Sequence, residues 1–575
     1  MPSASPQESS VPRGPVVCLL LALLGLVGNY LYVRSFGIYE DDYFYTIPAF
    51  QWSGGECWAF MRHHLLAWTQ GRPIGYAAND LITWLSARGN SLELGYAFGA
   101  ALLVTNTLLC YRLAATWFAP LGAFAAAAVY CLNPADTAKV ILMHRSFLLL
   151  GSTFLLSAFL AYRLQRLWLA YLAAAAALLT YETFFFPFLA APLLLLSWKE
   201  FSWRRLLGHG AICGAILVLV ILIRRSRGDG RISETLGSLR EVTDKAAHAV
   251  LLGPWTCLRL LVLRPWDALR SSSPGQWLVM LSVIGATVAV FPGTAALAAL
   301  RNGREKILSF LLFGVGCLVL LALGYVVAIR PDNYPPVVTI GRLSGFNAPS
   351  ALALGLLVGA LVTLLAGVLP RPRVIAAVTG LLLGTLVSFG LEVQRVDYVT
   401  NWQQQRAFWA TLLADSGEWD SGAVVLVQIE GGAGRPCTPG FPPFWMVNYP
   451  PLLAERLVVP PAARPGGTFL PPHVFGFHLG TKVADVPAGR QLQTPPWSDA
   501  ALWPVVADGR FLSYDFANGH LARRTAPFTL DGHVLTPKPL PAAPLPPLAN
   551  THLYQVLFGA PPAWPSIGSA RNYPP

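Results

Sequence analysis

Over the first two thirds of the chain, long apolar runs alternate with short polar breaks. Residues 16–33 are apolar apart from Asn29, and about 20 such residues cross a bilayer as a helix. Further runs at about 92–109, 121–132, 147–162, 167–181, 184–198, 211–223, 277–297, 307–329, 351–369 and 374–391 bring the predicted spans to about eleven. After residue 391 the pattern changes. Residues 392–413 have helical character, 423–429 read as a β-branched strand, and the remainder is rich in Pro and Gly with short strand-like pieces such as 509–515. The polar run 403–405 reads as an exposed helix face, and the Pro-rich stretch 537–547 as a linker. The expected architecture is a polytopic α-helical membrane domain, residues 1–391, followed by a C-terminal α/β domain, residues 392–575.

Composition fits this reading. Of 575 residues, 54% are hydrophobic and 12% charged, too little polar surface for a soluble chain of this length. The net charge of +12 does not point to nucleic acid, because Lys and Arg are scattered in small groups between the apolar runs. They read instead as topology signals. Arg112, Arg163, Arg166, Lys199, Arg204, Arg205, Arg301, Arg304, Lys306, Arg371 and Arg373 fall in alternate loops on the side of the N-terminus, which the positive-inside rule makes cytoplasmic. Arg224, Arg225, Arg227 and Arg231 run against the scheme, in a long outer segment where the rule weakens. The N-terminal run reads as an uncleaved signal anchor, and the odd number of spans puts the tail outside. The Ala-rich spans and frequent Arg, Gly and Pro fit a GC-rich bacterial genome, and the expected location is a bacterial inner membrane. Eight cysteines show no metal-ligand spacing; Cys57, Cys257 and Cys437 lie outside the spans, as thiols or as partners in a disulfide.

With this topology the first outer loop, residues 34–91, opens on Glu40, Asp41 and Asp42. Further along it, Trp52, Trp58, Phe60, Leu65, Leu66 and Trp68 interleave with Arg62, His63 and His64, the pattern of an interfacial helix. Other outer segments add Arg72, Asp80, Asp136, Lys139, His144, Arg145, Glu182, Arg330, Asp332 and Arg342. Carboxylates and cations gathered on one side suit transfer from an anionic lipid-linked donor. A carboxylate acts as base toward the acceptor hydroxyl, and cations neutralise a phosphate leaving group; Arg suits the phosphate by its planar fork.

The order of these motifs resembles the GT-C class of membrane glycosyltransferases, which includes protein O-mannosyltransferases and lipid A aminoarabinose transferases. The acidic stretch Glu40-Asp41-Asp42-Tyr43-Phe44-Tyr45 after the first span, Gly71-Arg72-Pro73-Ile74-Gly75-Tyr76 later in the loop, and Tyr181-Glu182-Thr183 at a span end carry the likeness. It covers roughly the first 200 residues by motif and the rest of the membrane region by layout. The resemblance implies Asp41 or Asp42 as general base, or as holder of the acceptor or a metal, with Asp41 favoured and Glu40 as the fallback. It implies Arg72 at the donor phosphate, Arg342 as a second phosphate-binding cation, and Asp136 in support with Glu182 and Arg145. No cofactor is required by it; a divalent metal is left open, and no metal-ligand set is assigned.

Plainer readings stand beside these. Arg72 would serve equally as an interfacial anchor, Asp136 after Asn133-Pro134 as a helix cap, His144 and Arg145 as markers of a span entry, and His63 and His64 as interface residues. Glu182 leans toward function, since a charge between apolar spans is costly without a partner. The expected activity is sugar transfer from a polyprenyl-phosphate donor to a glycan, lipid or protein acceptor outside the membrane. The rival is a transporter or flippase of lipid-linked sugars with an outer binding domain.

Overall fold

A computed structural model describes residues 14–39, 41–89, 91–195, 201–228, 239–292, 304–326, 342–369, 371–416, 423–429, 473–477, 481–493, 504–517 and 520–541. Glu40 and Cys437, and with them Arg330 and Asp332, lie outside the described residues. The chain forms two units. The first comprises residues 1–33, 52–85 and 93–395; the second comprises 34–51, 86–92 and 396–575. The stretch carrying the acids thus groups with the tail, whereas the sequence division at residue 391 placed it with the membrane domain.

The first unit is helical and the chain is a multi-pass membrane protein. Among the described residues six helical segments, Gly14–Ser35, Glu93–Ala114, Leu142–Arg163, Trp203–Ser226, Ser344–Val368 and Pro372–Ala414, are long and apolar enough to cross a membrane. The other expected spans coincide with shorter apolar helices, Pro120–Cys131, Leu167–Thr180, Glu182–Leu194, Pro274–Val290 and Phe310–Leu323. Each falls short of the roughly 20 residues a perpendicular crossing needs, so the figure of eleven is not established.

Small residues set the closest helix approaches. In lipid, apolar side chains gain little by leaving their surroundings, and backbones that come close gain dispersion contacts instead. Helix Ala351–Val368 meets helix Pro120–Cys131 through Gly355 and Gly359, where a Cβ on Gly359 would fall 2.7 Å from the Gly122 carbonyl oxygen and 2.8 Å from Ala126 Cβ. Helix Pro372–Glu392 meets Pro274–Val290 in the same way, Gly380 against the Ile284 backbone at 2.8 Å and Gly384 against Met280 at 3.0 Å. Gly359→Leu is therefore expected to abolish the folded protein in detergent extracts, as judged by size-exclusion chromatography. Gly314→Leu, at a position with open space around it, is the control expected to elute as wild type.

These packings run antiparallel and bring particular helix ends together. Tyr325 donates to Asn347 Oδ1 at 2.8 Å, and Asn347 Nδ2 donates to the Ala135 carbonyl at 2.9 Å. Gln394 Nε2 donates to the Val27 carbonyl at 2.9 Å. The segment Arg342–Ser350 touches Ala138–Val140, Arg145–Leu149 and Glu182–Phe184. One end of the bundle thus collects the polar segments that the apolar pattern had assigned to one side.

The second unit contains a four-stranded sheet of order β2-β1-β6-β7, formed by β1 (Val424–Ile429), β2 (His473–Phe477), β6 (Phe511–Ala517) and β7 (His520–Arg524). Strand β1 is parallel to both neighbours, and β7 is antiparallel to β6. β1 carries Val425, Leu426 and Val427, all fully buried, as expected for a central strand. Strands β3 (Lys482–Val486), β4 (Gly489–Gln493) and β5 (Val505–Val506) make a small antiparallel sheet, and β8 (Phe528–Leu530) and β9 (His533–Leu535) a hairpin. Its turn, Asp531-Gly532, has positive φ at both residues, 48° and 80°, which matches the strand twist. Leu426, Phe475, Phe477, Val483, Leu492, Phe511 and Leu530 close the core.

Tyr398 and helix Asn401–Ala414 belong to this unit and pack against the residues on either side of the acids. Tyr39 stacks edge-on against Tyr398 with centroids 5.0 Å apart, and its hydroxyl donates to the Tyr398 carbonyl at 3.0 Å. Tyr43 bonds Gln405 and accepts from Trp409 Nε1 at 3.2 Å. Gln405 is consequently buried, not on the exposed face that its polar neighbours suggested. A glutamine is tolerated there because Tyr43 and Asn401 satisfy its amide.

Candidate functional site

Arg72 and Glu182 form a bidentate ion pair at the collecting end of the bundle. Arg72 Nε and Nη2 donate to the two Glu182 carboxylate oxygens at 2.8 and 2.7 Å, and its guanidinium lies 4.3 Å from the Tyr181 ring centroid. The side chains are 15% and 18% exposed. Burial alone would raise the Glu182 carboxyl; Arg72 outweighs it with charge and hydrogen bonds and holds it at about 2, while the Arg72 guanidinium is held above its ordinary range. A fork-to-fork pair of this kind fixes both orientation and ionisation.

The local chain is shaped to present Arg72. Helix Gly54–Ala67 starts on a reciprocal cap between Ser53 and Glu56, exposes Trp58, Phe60, Leu65 and Leu66, and ends in left-handed Trp68. Gln70 (φ 52°) and Gly71 (φ 71°) are left-handed too. A non-glycine residue is held there only when its surroundings over-determine it. Arg224 supplies one such constraint. It donates from Nη2 to the Gln70 carbonyl at 3.4 Å, its guanidinium lies where a Cβ on Gly71 would fall, and its charge also lowers the Glu182 carboxyl. In the sequence Arg224 runs against the charge rule, and its place at the end of the apolar helix Trp203–Ser226 is the available signal.

Further along the same loop, His64 Nε2 lies 3.3 Å from Asp80 Oδ2 and stacks on Tyr76, with centroids 5.1 Å apart. Tyr76 in turn meets Phe147 edge-on at 5.0 Å. Burial raises the Asp80 carboxyl to about 7 and lowers His64 to about 4, His63 adding to the latter, so both are largely neutral near pH 6. An acid raised on folding binds more protons in the native state, and stability then falls as pH rises from the ordinary aspartate range to about 7. Asp80→Asn is thus expected to raise Tm relative to wild type at pH 8, with the difference shrinking toward pH 4. Thermal denaturation in detergent at both pH values checks this.

Asp136 is buried and its Oδ1 accepts from the Ala138 backbone at 3.0 Å, the turn-capping role. Burial raises its carboxyl to about 6 against the opposing charge of Lys139, and the same burial lowers Lys139. Lys139 donates to the Cys131 carbonyl at 2.8 Å. Ser344 accepts from the backbones of Thr137 and Ala138 at 2.9 and 3.1 Å. Arg145 is buried beside Gly99 and opens a π-helical turn, Arg145–Leu149, so it is an interior residue as well as the marker of a span entry. Arg342 begins the segment that touches Ala138–Val140 and Glu182–Phe184. The first unit therefore gathers Arg72, Glu182, Asp136, Arg145 and the Arg342 segment.

Asp41 and Asp42 belong to the second unit. Asp42 is fully buried, and its Oδ2 accepts from the Tyr39 backbone at 3.1 Å. Asp41 precedes the short helix Asp42–Tyr45 with its side chain making no cap hydrogen bond, and it is partly exposed. Cys57 and Cys257 are buried free thiols. Among the described residues no group of three His, Cys, Asp or Glu is placed to hold a metal ion.

No protein-family model and no curated protein matches the chain. Two solved structures do, both of ArnT from Cupriavidus metallidurans. The structure bound to undecaprenyl phosphate aligns with a TM-score of 0.36 and the apo structure with 0.33; each is 13% identical and covers 72% of this chain and 82% of its own.

Proposed function

We propose that this protein is a GT-C-like glycosyltransferase that moves a sugar from a polyprenyl-phosphate donor to an acceptor outside a bacterial inner membrane, with its N-terminus cytoplasmic and its tail extracytoplasmic. The observation that carries the reading is the Arg72–Glu182 pair with Arg224 beside it. Arg72 and Arg224 bring two cationic guanidinium groups beside the Glu182 carboxylate, at one end of apolar helices that reach into lipid. A lipid-linked phosphate fits that charge and that location. Arg342 and Arg145 are the further cations we assign to the donor end, with Asp136 capping the turn that precedes Arg145.

Asp41 is the base. Its partial exposure favours it over Asp42, whose buried carboxylate accepts from the Tyr39 backbone. The Asp41 carboxylate takes the proton of the acceptor hydroxyl as that oxygen bonds to the anomeric carbon. The bond from that carbon to the phosphate oxygen breaks, the electron pair leaves with the polyprenyl phosphate, and the sugar is inverted. The cations stabilise the departing phosphate as its charge grows.

The direct test supplies membranes containing the protein with a radiolabelled polyprenyl-phosphate sugar and follows label into acceptors. Transfer that depends on the protein is the expected result. Label that crosses the bilayer still attached to its lipid, with no transfer, would replace this reading with a flippase.

A further inference from the structure

The long outer segment after residue 224 contains a helix, Leu239–Ser271, of 33 residues. At 1.5 Å per residue it is about 50 Å long, enough to traverse a bilayer, and its contacts show that it does not. Gly253 lies against the Tyr325 ring. Arg264 sits 5.3 Å from the Phe389 ring centroid, and Ser272 Oγ is 3.4 Å from Ser388 Oγ. Tyr325 and Phe389 both stand at the end of the bundle that collects the polar segments, Tyr325 through Asn347 and Phe389 beside the Gly390–Gly28 approach. A crossing helix would meet opposite ends of its neighbours. This one runs from one helix end to another at the same level.

Its two faces differ in a way that periodicity makes plain. Gly253, Thr256, Cys257, Leu260 and Ala268 are buried. On the opposite side Leu251, Trp255, Leu258, Val262 and Trp266 form one stripe, with Leu251 72%, Trp255 63% and Val262 69% exposed. The spacing of four, three, four and four residues keeps the stripe on one face. The next helix along the chain, Pro274–Val290, likewise exposes apolar Trp277, Leu278 and Leu281. Arg259 and Arg270 border the stripe as exposed residues, and the Arg270 guanidinium covers Trp266 at 4.7 Å.

We propose that Leu239–Ser271 is a membrane-interface helix whose Leu251-to-Trp266 stripe is embedded in bilayer lipid at the site end of the bundle. Tryptophans with bordering arginines suit the headgroup level, where the rings are amphipathic and guanidinium groups meet lipid phosphates. That the stripe leads along the chain straight into an apolar helix of the membrane domain, Pro274–Val290, with its own exposed apolar residues, makes lipid the occupant rather than a second protein. Pro254 and Pro265 each remove one internal hydrogen bond and give the helix two points at which to bend along the bundle.

The full chain is reconstituted in vesicles of phosphatidylethanolamine and phosphatidylglycerol, and nitroxides are placed by Leu251→Cys, Val262→Cys and Asp267→Cys, with labelled wild type as background. Oxygen is expected to relax the labels at 251 and 262 several-fold more than a water-soluble nickel chelate, with the order reversed at 267. Dominance of the nickel chelate at 251 and 262 would place the stripe in water and overturn the proposal. Weak relaxation by both agents would show a protein cover and overturn it equally. A second measurement needs no substitution. Lipids with photoreactive acyl chains are expected to label unmodified protein within residues 251–266, and labelling at 277–281 without labelling there would also refute the assignment.

Discussion

Asp41→Asn is expected to lower sugar transfer by about two to four orders of magnitude, the usual share of a general base, with donor binding and folding retained. Asparagine keeps the shape of the side chain and cannot take the acceptor proton. The informative partner is Asp42→Asn. The Asp42 carboxylate accepts from the Tyr39 backbone at 3.1 Å in a fully buried position, and an asparagine carbonyl still accepts that bond. Asp42→Asn should therefore transfer within a few-fold of wild type, whereas Asp42→Ala, which leaves the buried Tyr39 amide without this acceptor, should lose about 1–3 kcal/mol of stability. Initial rates from a labelled polyprenyl-phosphate sugar at matched protein levels, with thermal denaturation beside them, separate the two roles. A silent Asp41→Asn with an inactive, folded Asp42→Asn would move the base to Asp42.

Breaking the Arg72–Glu182 pair is expected to damage both stability and activity. Removing one member of a buried ion pair leaves the other charge uncompensated and costs roughly 3–5 kcal/mol; the 15% and 18% exposure of these side chains puts this pair at or below the bottom of that range. Arg72→Ala and Glu182→Ala should each lower Tm. The double change Arg72→Met with Glu182→Leu removes both charges and should fold better than either single variant while transferring no sugar. Such a split would separate the pair's chemical role from its structural one. A fully active double variant would remove it from the donor site.

The pH dependence of that pair follows from the lowered Glu182 carboxyl. A carboxylate held below its unfolded value contributes its full stabilisation above the ordinary range and loses it as pH falls toward the folded value. For Glu182 the window runs from 4.5 down to about 2. The Tm difference between wild type and Glu182→Gln should stay constant from pH 6 to pH 9 and shrink only below pH 4.5. A midpoint near neutrality would show that Arg72 is not its partner.

What the sequence determined by itself is the partition of the chain between lipid and water. Apolar length is a local quantity, and no backbone can cross hydrocarbon without satisfying its own hydrogen bonds, so runs such as 16–33 and 351–369 had to become helices. Alternation of loops then put Arg72, Asp136, Arg145 and Glu182 on one side, and the strand at 423–429 followed from its β-branched run. Partners are not local quantities. Arg72 finds Glu182 across 110 positions of sequence, and Arg224 joins them from a charge group that loop counting could only treat as an exception. Asp42 reads like its neighbour Asp41 until the Tyr39–Tyr398 packing turns it inward, and Gln405 reads as solvated until Tyr43 meets it. The helix Leu239–Ser271 was hidden because Arg259, Arg264 and two prolines interrupt its apolar run, and only the neighbours at Tyr325 and Phe389 show which face is covered. Sequence pattern reports how much each segment avoids water; which charges compensate one another is set by the helix ends that packing brings together.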